Sequence, residues 1–249
     1  MEKKQTTMQK KAALKAAFPF TLPVMAGYLF LGVAFGMLLQ SNGYGLLWSF
    51  FMSLSIYAGS MQFVAAGLLT GAFSPLVAVT ITLMVNARHL FYGLSMLEPF
   101  RDMGRKKPYM IFALTDETYS LLCGLRLPKD INEKQAFFYI SLLNQCYWVT
   151  GSMLGSLFGQ WLPIDAKGID FAMTALFVVI FTEQWLGAGK RGKVLGFFKV
   201  HGPALIGAGV SLLCLLIFGP NNFLLPAMGL MLILFAVLQK PLTEGRVEP

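Results

Sequence analysis

Apolar and polar positions alternate in long blocks along this chain, not with the short period of a strand or the single stripe of a surface helix. Apolar stretches lie at about 18–39, 46–69, 74–97, 108–127, 136–160, 169–187, 202–218 and 222–239. Most approach the ~20 residues that cross a bilayer as helix. Pro19, Pro23, Pro75, Pro203 and Pro226 fall near the starts of such stretches, where a missing N–H is tolerated. The pattern predicts an all-α, polytopic membrane bundle of about seven to eight segments. It forms a single domain over residues 1–249, with a basic N-terminal arm at 1–17.

Small residues add a second pattern. Gly27, Gly32 and Gly36 in the first stretch, and Gly151, Gly155 and Gly159 in the fifth, recur about one turn apart. They make flat faces on which helices can pack closely, and Gly59 offers a similar site in the second stretch. Gly32, Phe35, Gly36 and Gly45 reappear at a constant separation as Gly155, Phe158, Gly159 and Gly168. "SFFMSLSIYAGSMQF" and "DFAMTALFVVIFTEQW" follow, each running from a Met before Ser or Thr to Gln62 or Gln184 and an aromatic. Such similarity marks a transporter built from two halves, at about 18–127 and 136–239.

Charge changes the topology. The chain is 56% hydrophobic and 13% charged, with mean hydropathy +0.63, too apolar for a soluble domain. Its net charge of +8 sits in short tracts between apolar stretches, the distribution of cytoplasmic loops and not of a nucleic-acid surface. The basic start is read as retained, since its apolar run exceeds a signal-peptide core. Eight simple crossings would place Arg101, Arg105, Lys106 and Lys107 opposite the N-terminal Lys3, Lys4, Lys10, Lys11 and Lys15, against the positive-inside rule. The second stretch, interrupted at Ala58–Ser60, and the sixth, interrupted by Glu183, are therefore expected to be broken or re-entrant. Both basic loops and both termini then return to the cytoplasm, the first and fifth stretches run antiparallel, and the repeat becomes an inverted one.

Ionisable groups within apolar stretches cost ~2.5–3.5 kcal/mol each on insertion scales, so each is a functional candidate. They are Arg88, His89, Asp116, Glu117 and Glu183, with Gln62, Asn86, Asn144, Gln145 and Gln184 as uncharged companions. Arg88 is read as facing inward, with Tyr92 one turn on to fix its guanidinium, over the alternative of a cation reaching for a helix end. His89 is the weaker candidate. Asp116 and Glu117 point about 100° apart on a helix and cannot both face lipid. Either they pair with Arg88 or start a helix at "TDET", or they belong to a substrate site. Ser55, Gly59, Gln62 and Ala66 would share one small, polar face of the second stretch if it were one helix. Cys123, Cys146 and Cys214 have no metal or redox spacing and read as small core residues.

No Walker A, HExxH, GxSxG or Cys/His metal spacing occurs, so neither an enzyme nor a metal or other cofactor is expected. Transport remains. One cation, one or two carboxylates, amides and apolar surroundings suit a small zwitterion with an apolar side chain. With no nucleotide motif, the driving force is expected to be an ion gradient. Asp116, Glu117 or Glu183 would carry protons, since a carboxyl taken out of water can exchange them near neutral pH. A channel-like permease and a non-transporting assembly or sensing subunit are the alternatives.

"IYAGSMQF" (Ile56 to Phe63), "NARHLFYG" (Asn86 to Gly93), "LTDETYSL" (Leu114 to Leu121) and "GIDFAMTALFVVIFTEQW" (Gly168 to Trp185) together resemble the AzlC family, large subunits of branched-chain amino acid exporters. The resemblance runs in order from about Phe18 to Trp185 and continues more weakly beyond. It implies efflux of Leu, Ile, Val and similar amino acids across the cytoplasmic membrane, with a small AzlD-type membrane subunit as partner. Its motifs point to Gln62, Arg88, His89, Tyr92, Asp116 and Glu117 without dividing roles among them.

Overall fold

The computed structural model describes residues 2–71, 74–125, 127–128, 131–161, 197–219 and 223–238, with isolated positions between 171 and 186. The described residues contain helices and no strand. They divide into two compact units, Met1–Met173 and Thr174–Pro249. In the first unit the helices are α1 (Glu2–Ser41), α2 (Leu46–Ser55), α3 (Gly59–Thr70), α4 (Pro75–Ser95), α5 (Lys107–Phe112), α6 (Asp116–Gly124) and α7 (Glu133–Trp161). The second unit contains α8 (Phe197–Phe218) and α9 (Leu224–Val237), packed through Val210, Cys214 and Ala227. Two described helices are long and apolar enough to cross a bilayer uninterrupted, over Gln9–Ser41 and His201–Phe218. Large apolar side chains such as Phe30, Leu47, Leu76, Leu83, Leu90 and Leu216 are exposed, as on helices that face hydrocarbon.

The basic arm is the first part of α1, so Pro19 and Pro23 lie inside a helix instead of at its start. The Thr21 hydroxyl donates to the Phe18 carbonyl at 2.8 Å within this proline-bearing turn.

α1 and α7 form the spine of the first unit, and glycine sets their closeness. A side chain added at Gly32 would meet the backbone of Ser152, Trp148 and Gly151 at 2.9–3.1 Å; at Gly36 it would meet Ser152 and Ser156, and at Gly155 the Val33 backbone. Gly151 faces Tyr28 and Leu29, and Gly159 faces Gln40 and Met37. Gly27 behaves differently: among the described residues nothing lies within 4 Å of an added carbon there, so it is not a packing glycine of the α1–α7 contact. Gly59 packs against the Trp148 ring, not against another helix backbone.

These contacts also settle direction. Thr21 meets Tyr147 at 3.1 Å, Gly32 faces Ser152, and Gln40 accepts from Ser156 at 3.1 Å, so positions rise together along both helices. α1 and α7 are parallel, which overturns the expected antiparallel arrangement and the inverted repeat built on it.

The second stretch breaks as expected, at residues 56–58. α2 starts near the end of α1, and α3 returns there: Asn42 donates to the Ala66 carbonyl at 3.2 Å and Tyr44 to that of Leu69 at 3.2 Å. The two helices form a hairpin that reverses at residues 56–58. Ser55 therefore belongs to a different helix from Gly59, Gln62 and Ala66, and the predicted four-residue strip does not exist; the Ser55 hydroxyl donates to the Phe51 carbonyl at 2.6 Å.

The fourth stretch, expected to be one segment, also folds back. α5 runs along α7, with the Lys106 ammonium 4.2 Å over the Phe138 ring and Tyr109 donating to Gln145 at 2.8 Å. The chain breaks at residues 113–115, and α6 then runs parallel to α4, pairing Asp116 with Arg88 and Tyr119 with Tyr92. Leu122 thereby joins Ala17, Met96, Phe100 and Phe137 in one buried cluster at the end where α1 and α7 begin. Two turn-backs, not one, separate α1 from α7, and that restores their common direction.

The loop between α4 and α5 shares this end with the α1 arm. Lys134 bonds Asp102 at 2.9 Å, and partial burial, followed by the nearby charge of Lys10, lowers the Lys106 pKa. The two basic tracts of this unit thus lie at one end, as the positive-inside argument required.

Candidate functional site

The hairpins enter from opposite ends of the first unit and their breaks meet inside it. Tyr57, from the first break, lies 6.2 Å from Phe112 just before the second. Tyr57 has φ +44°, the one positive value at a non-glycine residue among those described, so the reversal holds this backbone in the left-handed region. Ala58 offers no side-chain cap, and the first hydrogen bond of α3 is Gln62 N–H to the Ala58 carbonyl at 2.9 Å. α6 differs. The Thr115 hydroxyl accepts the Thr118 N–H at 3.2 Å, a side-chain N-cap that makes "TDET" a helix start, with two acids in the first turn beside the positive end of the dipole.

Arg88 joins both new starts. From α4 its guanidinium bonds the Asp116 carboxylate at 3.0 Å and donates to the Ser60 hydroxyl at 2.8 Å. The side chains of Arg88 and Asp116 are 31% and 15% exposed, so the pair is largely out of water without being sealed. One Asp116 oxygen is buried with no hydrogen-bond partner among the described residues. Tyr92 stacks on Tyr119, with ring centroids 4.5 Å apart and planes 17° apart, and holds α6 against α4 one turn below the pair. His89 lies beside this group, its ring edge-on to Tyr92 at 5.9 Å.

Glu117 turns the other way, toward α1. Its carboxylate accepts from the Tyr28 hydroxyl at 2.7 Å, which is itself 2.6 Å from the Thr115 hydroxyl. The Thr115 and Thr118 hydroxyls are 3.0 Å apart, and Asn144 of α7 donates to Thr118 at 3.0 Å. Tyr28, Thr115, Thr118 and Asn144 are all buried. A third polar group holds the first hairpin: Trp148 donates to Gln62 at 2.8 Å, Gln62 to Ser53 at 3.3 Å, and Gln145 to the Leu54 carbonyl at 3.2 Å. Each of these bonds answers a polar group that would otherwise be stranded in an apolar interior.

Arg88, His89, Tyr92, Asp116, Glu117 and Gln62 are thus gathered around the meeting point of the breaks, and Arg88 faces inward. Asp116 realises both structural readings at once, as an ion-pair partner and as a helix start. Glu183 lies outside the described residues, as does Gln184. Cys214 is buried, but Cys123 and Cys146 are exposed, against the expectation that all three are core residues. Sequence reasoning passed over Tyr28, Ser60 and Trp148. A signal for two of them existed: Tyr28 and Trp148 each stand one turn before a packing glycine, where a polar aromatic is carried into the interface between α1 and α7.

The family model described as "AzlC protein" matches residues 23–162. The branched-chain amino acid transport protein AzlC of Bacillus subtilis is 45% identical over 237 residues, covering 95% of this chain and 89% of that one. An uncharacterized membrane protein of Haemophilus influenzae is 45% identical over 224 residues, covering 89% and 88%. The inner membrane protein YgaZ of Escherichia coli is 26% identical over 209 residues, covering 78% and 85%. No solved structure matches.

Proposed function

This chain belongs to the AzlC family of membrane transport proteins, and from that premise we propose that it exports branched-chain and similar apolar amino acids by proton-coupled secondary transport. The observation that carries the reading is the meeting of two opposed re-entrant breaks at Arg88, because irregular backbone at depth is tolerated where it lines a protein interior or a cavity for solute. Arg88 and the uncapped start of α3 are the groups suited to an amino acid's carboxylate. Asp116, with one oxygen unanswered, is suited to the ammonium. A zwitterion would then exchange partners with an existing ion pair, so no net charge is buried as it binds. The shared basic end of α1 and the α4–α5 loop supports a cytoplasmic N-terminus in the cell's inner membrane. A small AzlD-type subunit is the expected partner.

The test is efflux of preloaded labelled leucine from vesicles, comparing wild type with Arg88→Ala and Asp116→Asn at equal membrane levels, with and without the small subunit. Saturable efflux that both substitutions abolish supports the reading. Efflux in both variants at the wild-type rate overturns the assignment of the pair to substrate. The direct 3.0 Å contact of the pair also favours one other reading, a structural lock in a subunit that does not itself transport. That reading predicts that neutralising Arg88 and Asp116 together leaves function intact.

A further inference from the structure

Asp116 and Glu117 are neighbours in sequence, yet the fold gives them opposite surroundings. Asp116 is tied to a guanidinium at 3.0 Å. Glu117 makes no ion pair among the described residues, and its bond is to a neutral hydroxyl, that of Tyr28 at 2.7 Å. The ionisable groups facing it are Tyr28 from α1, Tyr57 from the first break, Tyr92 from α4 and Asp116 beside it, whose charge Arg88 answers.

The hydroxyls around Glu117 can serve both of its protonation states. Three contacts, Glu117–Tyr28, Tyr28–Thr115 and Thr115–Thr118, link the four groups, and in the last of them Thr115 is the donor. With Glu117 ionised, Tyr28 donates to Glu117 and Thr115 turns its proton from Thr118 to Tyr28. With Glu117 protonated, the direction reverses: the acid donates to Tyr28, Tyr28 to Thr115 and Thr115 to Thr118. Only hydroxyl hydrogens rotate, no heavy atom moves, and one proton is gained at Glu117. Thr115 keeps the Thr118 N–H in both arrangements, so the α6 cap survives the change. An ion pair has no such second arrangement, because protonating Asp116 would leave Arg88 facing a neutral acid.

Resting on the reading of this chain as a proton-coupled transporter, we infer that Glu117 takes up and releases the coupling proton, that Tyr28, Thr115 and Thr118 are positioning residues for it, and that Asp116 keeps its charge throughout. Asp116 and Glu117, left equivalent by the sequence, are thereby separated. Because Tyr28 lies on α1 and Glu117 on the second hairpin, the proton sits on the contact between the spine and a re-entrant element.

The experiment reconstitutes the protein with its small subunit in liposomes and measures two modes: leucine accumulation driven by an imposed pH gradient, and leucine–leucine counterflow without one. For Glu117→Gln the expected result is loss of accumulation with counterflow kept and flat across neutral pH. Tyr28→Phe is expected to keep both modes, with the midpoint of the pH profile moved upward, since the ionised acid loses a donor. Gradient-driven accumulation by Glu117→Gln overturns the inference and leaves proton coupling standing. Counterflow in the wild type with no response to the gradient removes proton coupling, and the inference with it. If Glu117→Gln fails to fold, carbodiimide labelling of the wild type decides. Modification at Glu117 that declines as pH rises supports the assignment, and modification at Asp116 or Glu183 instead overturns it.

Discussion

A single methyl group placed on the α1–α7 contact should separate packing glycines from the one that only looks like them. Gly155→Ala puts a carbon against the Val33 carbonyl, closer than van der Waals contact allows, and the obstacle is backbone that cannot swing aside. The helices must part by about 1 Å over this turn, or the strain must stay, and overpacking of this kind costs roughly 1–3 kcal/mol. Alanine's helix preference returns about 1 kcal/mol of that. Gly27→Ala receives the same preference with no described residue within 4 Å of the new carbon, so it should be neutral or slightly stabilising. With a shift of about 2–4 °C per kcal/mol for a protein of this size, Gly155→Ala should melt several degrees below Gly27→Ala. The assay is thermal unfolding in detergent followed by size-exclusion chromatography, with leucine efflux measured at a temperature where both variants are folded. Equal melting temperatures would refute the claim that backbone contact at Gly155 sets the spacing of the spine.

Removing the cap of the second re-entrant helix by Thr115→Ala should cost about 1 kcal/mol and also empty the middle of the hydroxyl chain, so stability falls modestly while the pH profile of transport changes. Checking both in one preparation separates that variant from Thr115→Ser, which keeps the hydroxyl and should keep both properties. Trp148→Phe leaves Gln62 without its donor and should weaken the hold on the first hairpin, read as faster labelling of a cysteine placed at Ser60. Single cysteines at Arg105 and at Gly43 should react with an impermeant reagent from opposite faces of the membrane. Reaction from one face would contradict the re-entrant path of α2 and α3.

Much of this could be read along the chain, because it depends on neighbours in sequence. The apolar blocks required helices in a bilayer, since no other element satisfies its own backbone there. The spacing of Gly32 and Gly36, and of Gly151 and Gly155, marked the faces on which α1 and α7 meet. "TDET" carried a helix start in Thr115 and the acids after it, and Arg88 could not be left in hydrocarbon without a partner. The interruption near Ala58 announced a break because a small-residue run there gives a helix little reason to continue.

Direction was another matter. A stretch that crosses and a stretch that turns back have the same hydropathy, so the fold-back of residues 107–124 left no mark in composition. Missing it reversed the expected orientation of α7 relative to α1. The separate surroundings of Asp116 and Glu117 were equally out of reach. A 100° turn between adjacent side chains says that they point apart, but only the packing of α4 on one side and α1 on the other decides that one meets Arg88 and the other Tyr28. Local pattern determined which elements form and which residues must be buried. The number of times the chain reverses, and therefore which buried groups meet, is a sum over the whole path that tertiary packing alone decides.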